Sequence, residues 1–239
     1  NPGTPALLAR LAGLVGDSPR IVLVIAPEQA SDEELELEAM LVRAGYPAMS
    51  RHVLANRASA EHRHLLDQIE QADLVILSAD SPLKLSSLIG GSSLARLLRR
   101  RNADGLAVCG IAAGAAVLCE HMLASGSQGA TPRVGGASLA PGLGLTNRVV
   151  IDQGGHASDR LGRLLAALAL NPFALGLGID ALTAAVIGSD NAIDVIGSGG
   201  VTLIDPSEMA DSNAAELEPG APIRITNMRL HALTSGARY

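Results

Sequence analysis

Aromatic residues are nearly absent. In 239 residues there is no tryptophan, one phenylalanine (Phe173) and two tyrosines (Tyr46 and Tyr239). Without rings to stack on, a base-stacking surface or an aromatic sugar platform is not expected. Positive charge is also short. Lys and Arg number 18 against 24 Asp and Glu, a net charge of −6. That balance gives no general attraction to nucleic acid or to an anionic membrane, and it suits a cationic ligand. Cysteine is limited to Cys109 and Cys119, each inside an apolar segment. They read as small buried hydrophobes rather than a disulfide or a reactive thiol. No apolar run approaches the ~18–20 residues of a spanning helix, and no segment reads as a signal peptide. The expected location is the cytoplasm. The chain opens on Asn1 rather than methionine, which leaves open whether residues upstream were removed.

What is present is aliphatic. Hydrophobic residues make up 48% of the chain and charged residues 18%, the balance of a globular protein. Leu7, Leu8, Leu11, Leu14 and Val15 predict a helix over 5–15. Ile21–Ile25 is a β-branched run, the mark of a strand buried on both faces. Ser31 and Glu34 form a capping box for a helix through Ala44, closed by Gly45. A short strand near His52–Leu54, a helix capped by Ser59 and running to about Gln71, and a strand at Leu74–Leu77 follow. A further helix over Leu94–Leu98 ends in Arg99-Arg100-Arg101, read as a solvated helix end. Strand–helix alternation to about residue 124 predicts βαβ units and a parallel sheet covered on both faces. Residues 125–142, rich in Gly, Ser and Pro, predict a loop at the rim of the sheet. A strand over Asn147–Ile151 and a helix over Arg160–Leu170 come next. After Pro172, short apolar runs at 175–179, 183–187, 193–197, 201–204 and 222–226 predict antiparallel additions. No linker or composition break appears, so residues 1–239 are expected to form a single α/β domain.

The stretch Val108–Val117 stands out. An apolar run, Leu106–Val108, enters Gly110, and helical spacing resumes after Gly114. Strand, sharp turn and helix make the setting in which G-x-S-x-G enzymes hold a nucleophile. Here the third position is Ala112. His62 and His64, two apart on a predicted helix, point to different faces and make a poor metal pair. No metal or cofactor is expected. The G-x-G patterns at 142–144 and 176–178 lack the order of a dinucleotide fingerprint.

Several segments together resemble the peptidase S51 family, in its bacterial cyanophycinase branch. The family's elbow, Gly-Thr-Ser-Ala-Gly-Ala, corresponds to Gly110-Ile111-Ala112-Ala113-Gly114-Ala115. Its Gly-Gly-Asp-Gln segment corresponds to Ala79-Asp80-Ser81-Pro82, ahead of Leu83-Lys84-Leu85. Gly142–Leu145, Ile151-Asp152-Gln153, Arg160–Leu164, Gly176–Asp180, Val195–Gly199 and Arg229–Leu233 match in order and spacing. The resemblance covers roughly residues 70–239. It implies a three-layer α/β/α fold with a mostly parallel central sheet, like class I glutamine amidotransferases (flavodoxin-like). It also implies a serine peptidase chemistry that releases β-Asp-Arg dipeptides from the storage polymer cyanophycin.

That chemistry needs a hydroxyl, a histidine and oxyanion donors. The nucleophile position is Ala112. The family's histidine position is Gly154, with His156 two residues on. The oxyanion segment carries Asp80, Ser81 and Pro82, and the residue after Gly-Ile-Asp is Ala181 rather than the common glutamate. Substitution at several separated positions, with the framework glycines kept, reads as a natural pseudoenzyme with no intact catalytic residue, inactive alone. Asp80, Gly110, Ile111, Ala113, Asp152, Gln153 and His156 are the candidates to line a vestigial site. The expected partner is an active paralogue in a heterodimer, or a second copy in a homodimer, with cyanophycin as a possible ligand. The alternative is an active S51 peptidase that cuts cyanophycin or β-aspartyl peptides through a rearranged site.

Overall fold

The computed structural model describes residues 4–26, 33–46, 49–153 and 157–239. The proposed Ser31 cap, Gly154 and His156 lie outside them. The chain forms two compact units. The first comprises Asn1–Leu118 and Gly142–Leu145, and the second Cys119–Pro141 and Thr146–Tyr239. Because the chain passes between the units more than once, no single linker marks a boundary in the sequence.

In the first unit the elements run α1 (Thr4–Gly13), β1 (Ile21–Ala26), α2 (Glu33–Arg43), β2 (Met49–Val53), α3 (Arg63–Gln71) and β3 (Leu74–Ala79). They continue with α4 (Pro82–Ile89), α5 (Ser93–Ala103), β4 (Ala107–Ala112) and α6 (Ala113–Val117). The four strands pair in the order β2-β1-β3-β4, all parallel. This is the order of a flavodoxin-like doubly wound sheet. Ile21, Leu23, Ile25, Leu74 and Ile76 face α1 and α2, packing on Leu8, Ala12 and Leu41. Val22, Val24, Val75 and Leu77 alternate with them and are equally buried. Burial on both faces explains why β1 and β3 read as continuous apolar runs.

The helix predicted from Ser59 divides in two. Asn56 caps a 3₁₀ turn over Arg57–Glu61 by accepting the Ser59 backbone N–H, and His62, in extended geometry, separates that turn from α3. Ser59 therefore sits inside the turn rather than at a helix start.

The starts of β1 and β3 are tied together by Arg20. Its guanidinium grips Asp73 through Nε and Nη2 at 3.0 and 2.9 Å, and its backbone N–H adds a third bond at 2.9 Å. Those bonds hold the Asp73 carboxyl down at about 2 against an ordinary 3.8. A carboxyl depressed in the folded state stabilises above its unfolded pKa of ~3.9 and loses that contribution as pH falls through the folded value. The pair is partly exposed, so solvent screening holds its worth to ~1 kcal/mol or less. Asp73→Asn should lower stability by that amount at pH 7, measured by urea denaturation. The difference from the parent should vanish between about pH 4 and pH 2.

In the second unit the elements are β5 (His121–Gly126), β6 (Ala137–Pro141), β7 (Val149–Gln153), α7 (Leu161–Leu170), β8 (Leu175–Ile179), β9 (Thr183–Ile187) and β10 (Ile193–Gly197). After them come β11 (Gly200–Asp205), β12 (Asp211–Ser212), β13 (Ile225–Thr226) and β14 (Arg229–Thr234). A mixed sheet runs β14-β11-β8-β7, with only β7 and β8 parallel. β9 and β10 form an antiparallel hairpin, as do β12 and β13. The antiparallel additions expected after Pro172 are therefore present.

The expected loop over 125–142 holds for residues 127–136, while 125–126 and 137–141 are corrected to strand. β5 and β6 pair antiparallel from His121↔Pro141 to Gly126↔Ala137, with an irregularity between Leu123 and Ser125. Gly126, one of the small residues that suggested a loop, has a packing reason. A Cβ at Gly126 would lie 2.8 Å from the Arg163 side chain and 2.8 Å from the Gly136 carbonyl oxygen. Gly162 opens α7 against the segment between the two strands, where a Cβ would meet the Thr131 oxygen at 2.6 Å.

Among the described residues, no helix is long and apolar enough to cross a membrane.

Candidate functional site

The elbow lies at the carboxyl end of β4. Ala112 has φ 51° and ψ −129°, a conformation that costs a residue with a Cβ of order 1–3 kcal/mol. The surrounding glycines explain how it is held. A Cβ on Gly110 would lie 2.3 Å from the Cα of Ala115. One on Gly114 would lie 2.2 Å from the carbonyl oxygen of Leu77 in β3. The turn is thus closed so tightly on α6 and on the neighbouring strand that only glycine fits on either side. Ala112 itself is exposed, the posture an elbow gives a nucleophile. What it offers is a methyl group, which can neither lose a proton nor attack a carbonyl.

Beside the elbow, β3 ends in register with β4, Ala79 opposite Ala112 and Ser78 opposite Ile111. The structure therefore brings Asp80, Ser81 and Pro82 to the same sheet edge as Gly110, Ile111, Ala112 and Ala113. Ser81 is the N-cap of α4, its hydroxyl accepting the Lys84 backbone N–H at 3.3 Å, and Pro82 is the first helical residue. This segment is built as a helix start. Proline there has no N–H to donate to an oxyanion, and the exposed Asp80 would oppose developing negative charge. Cys109, three residues before Ala112, packs toward α1 and α2. Burial pushes its thiol up to about 11 and that of Cys119 up to about 12, so neither supplies a thiolate near neutral pH.

The remaining candidates lie in the second unit. Asp152, near the carboxyl end of β7, is buried. Both its oxygens are taken by Arg163 of α7, which donates from Nε to Oδ2 at 2.6 Å and from Nη2 to Oδ1. Arg160 adds a looser contact at 3.8 Å. A carboxylate gripped in this way is a fixed anchor between strand and helix. The cleft it lines is only about 10 Å³, the room of roughly one water. The Gln153 carbonyl accepts from Arg160 Nη1. Asp180, next to Ala181, accepts the Gly200 backbone N–H at 3.2 Å.

Sequence reading singled out Asp152 but missed its arginine, eleven residues away on another element. In the first unit the His64 ring lies 5.5 Å from that of His52, and Gln68 bonds to both. Among the described residues no three His, Cys, Asp or Glu side chains gather closely enough to hold a metal ion.

A parallel sheet whose strand ends in a strained, glycine-flanked turn before a short helix is the scaffold of a nucleophile elbow. Residues 40–195 match peptidase family S51, and the chain belongs to that family. It is 35% identical over 187 residues to the cyanophycinase of Trichormus variabilis (strain ATCC 29413 / PCC 7937), across 78% of this chain and 63% of the relative. Against the cyanophycinase of Synechococcus elongatus the identity is 36% over 188 residues, 78% of this chain and 58% of that one. The match thus spans about six-tenths of these relatives' length. Among solved structures, a peptidase from an acI-B1 Actinobacterium superposes with a TM-score of 0.66 at 20% identity, over 100% of this chain and 91% of that one. A putative peptidase E protein from Listeria monocytogenes EGD-e gives 0.54 at 11% identity, over 82% and 96%. These two likenesses are of fold.

Proposed function

We propose that this chain is a non-catalytic, cyanophycinase-like subunit that pairs with an active paralogue in the bacterial cytoplasm and assists breakdown of the β-Asp-Arg polymer. The observation that carries the reading is Ala112. Its backbone keeps a costly conformation whose use is to present a nucleophile, while its side chain is a methyl. At the neighbouring strand end Ser81 and Pro82 serve as the start of α4, and in the sequence the family's histidine position is Gly154. A dead protomer retains the shape of its ancestor. It can still complete a dimer or extend a polymer groove, for which an interface of ~1,600 Å² suffices.

Co-expression with an intact S51 homologue, followed by size-exclusion chromatography and a cyanophycin assay, tests the pairing. A mixed dimer with altered turnover is expected. A product that excludes this chain, with the partner's activity unchanged, would sink the proposal. For the chain alone, Ala112→Ser should leave cyanophycin and β-aspartyl peptides uncut, because no proton acceptor or oxyanion site comes back with the hydroxyl. Dipeptide release by that single variant would instead make the chain a peptidase lacking one group. Release by the unsubstituted protein would establish the rearranged active site.

A further inference from the structure

A groove lies in the second unit, at the edge of the mixed sheet where β7 and β8 begin. It has a volume of about 310 Å³, the lower end of the range for small-ligand pockets. Asp152 and Gln153 stand at the other end of β7, so this groove and the vestigial-site candidates of this unit occupy opposite edges of one sheet. Its walls are mainly apolar, with Phe173, Leu175, Ile193 and Tyr239 among them. Phe173 is 61% exposed, a large value for one of the chain's three aromatic rings. Its ring meets that of His121 in a T-shaped arrangement, at 6.0 Å and 72°. Tyr239 is fixed by two backbone bonds to Ile193, each of 3.0 Å.

The polar lining is unbalanced. Asp205, the acid of the groove, is already satisfied. It accepts from the Ser207 backbone at 2.8 Å, from Arg229 at 2.7 Å and from the Tyr239 hydroxyl at 3.2 Å. Arg148, just before β7, is exposed. Among the described residues its guanidinium has no hydrogen bond or ion pair. Thr146, two residues earlier, also lines the groove, and its hydroxyl is likewise unengaged there. A planar five-donor cation lining the same groove as an unengaged hydroxyl suits a carboxylate bound through both oxygens.

We infer that this groove binds a monocarboxylate with an apolar body, its acid group on Arg148 and Thr146 and its body against Phe173 and Tyr239. Such a ligand comes either as a free organic acid or as the carboxyl terminus of a peptide ending in apolar residues.

Calorimetry with two probe pairs tests this: 4-phenylbutyrate against 4-phenylbutanamide, and N-acetyl-Leu-Phe as acid against its amide. At least one acid should bind at least tenfold more tightly than its amide, and the acid that binds identifies the source. Arg148→Gln should erase the acid's advantage. Phe173→Ala should weaken acid and amide alike, and Arg63→Gln, on a surface arginine 92% exposed, should change neither. The inference is overturned if acid and amide bind equally, if Arg148→Gln leaves the preference intact, or if neither acid binds at millimolar concentration to protein with a normal melting transition.

Discussion

Gly114→Ala should destabilise the first unit by ~3 kcal/mol or more, lowering Tm by roughly 10 °C or abolishing soluble expression. Ordinary helix propensity predicts the opposite sign, since alanine is favoured over glycine in a helix by ~1 kcal/mol. Space overrides propensity here. The added carbon would sit 2.2 Å from the Leu77 carbonyl oxygen and 2.9 Å from its carbonyl carbon. Both are backbone atoms of a central strand, so no rotamer change relieves the clash. Gly110→Ala meets the backbone of Ala115 and Gly114 at 2.3 to 2.6 Å and should behave alike. Gly13→Ala is the control. Nothing lies within 4 Å of the carbon it adds at the end of α1, and it should be neutral or slightly stabilising. Thermal melts of the three variants decide the matter. A neutral Gly114→Ala would mean that α6 is not seated on β3 as described.

Asp152→Ala carries the next largest expected cost, ~3–5 kcal/mol in urea denaturation. The loss is less the attraction between the two charges than the charge left behind. Arg163 is 15% exposed, and without Asp152 its guanidinium keeps only a 3.5 Å contact with the Gly126 carbonyl and has little access to water. Removing both charges should therefore cost less than removing one. Asp152→Leu with Arg163→Met keeps an aliphatic stem over Gly126 and should recover most of the stability, by the logic that apolar replacement of a buried pair is often near neutral. If the double variant is as unstable as the single one, the pair sets the geometry of β7 and α7 by its hydrogen bonds, and charge burial is not the cause.

Much of this was legible in the sequence, for physical reasons. Strands buried on both faces need near-continuous apolar runs, so β1 and β3 announce themselves. Gly110 and Gly114 each mark a place where backbones meet at less than a side chain's width, so their spacing around Ala112 shows the elbow directly. Composition misled at the two ends of 125–142: Gly126 makes room for Arg163 inside a strand, whereas Gly129 and Gly135, at positive φ, belong to the connecting loop. Ser59 misled because an Asn three residues earlier takes the capping role. The partner of Asp152 and the Arg148 groove left no local trace. The groove draws on five separate stretches of chain, and no periodicity links them.

The short return of residues 142–145 into the first unit has a consequence for biosynthesis. Leu143 is 2% exposed. Its N–H donates to the Val117 carbonyl at 2.7 Å, its own carbonyl accepts from Arg99, and Leu145 donates to Leu118 at 2.9 Å. A nascent chain released from the ribosome only as far as Leu118 holds every strand of the parallel sheet but not this plug. At ~5–20 residues per second, the missing segment follows within seconds. During that interval the first unit waits, incomplete, on sequence that is translated after β5 and β6 of the second. Neither unit is a contiguous gene fragment, and cutting the reading frame at any one point cannot separate them.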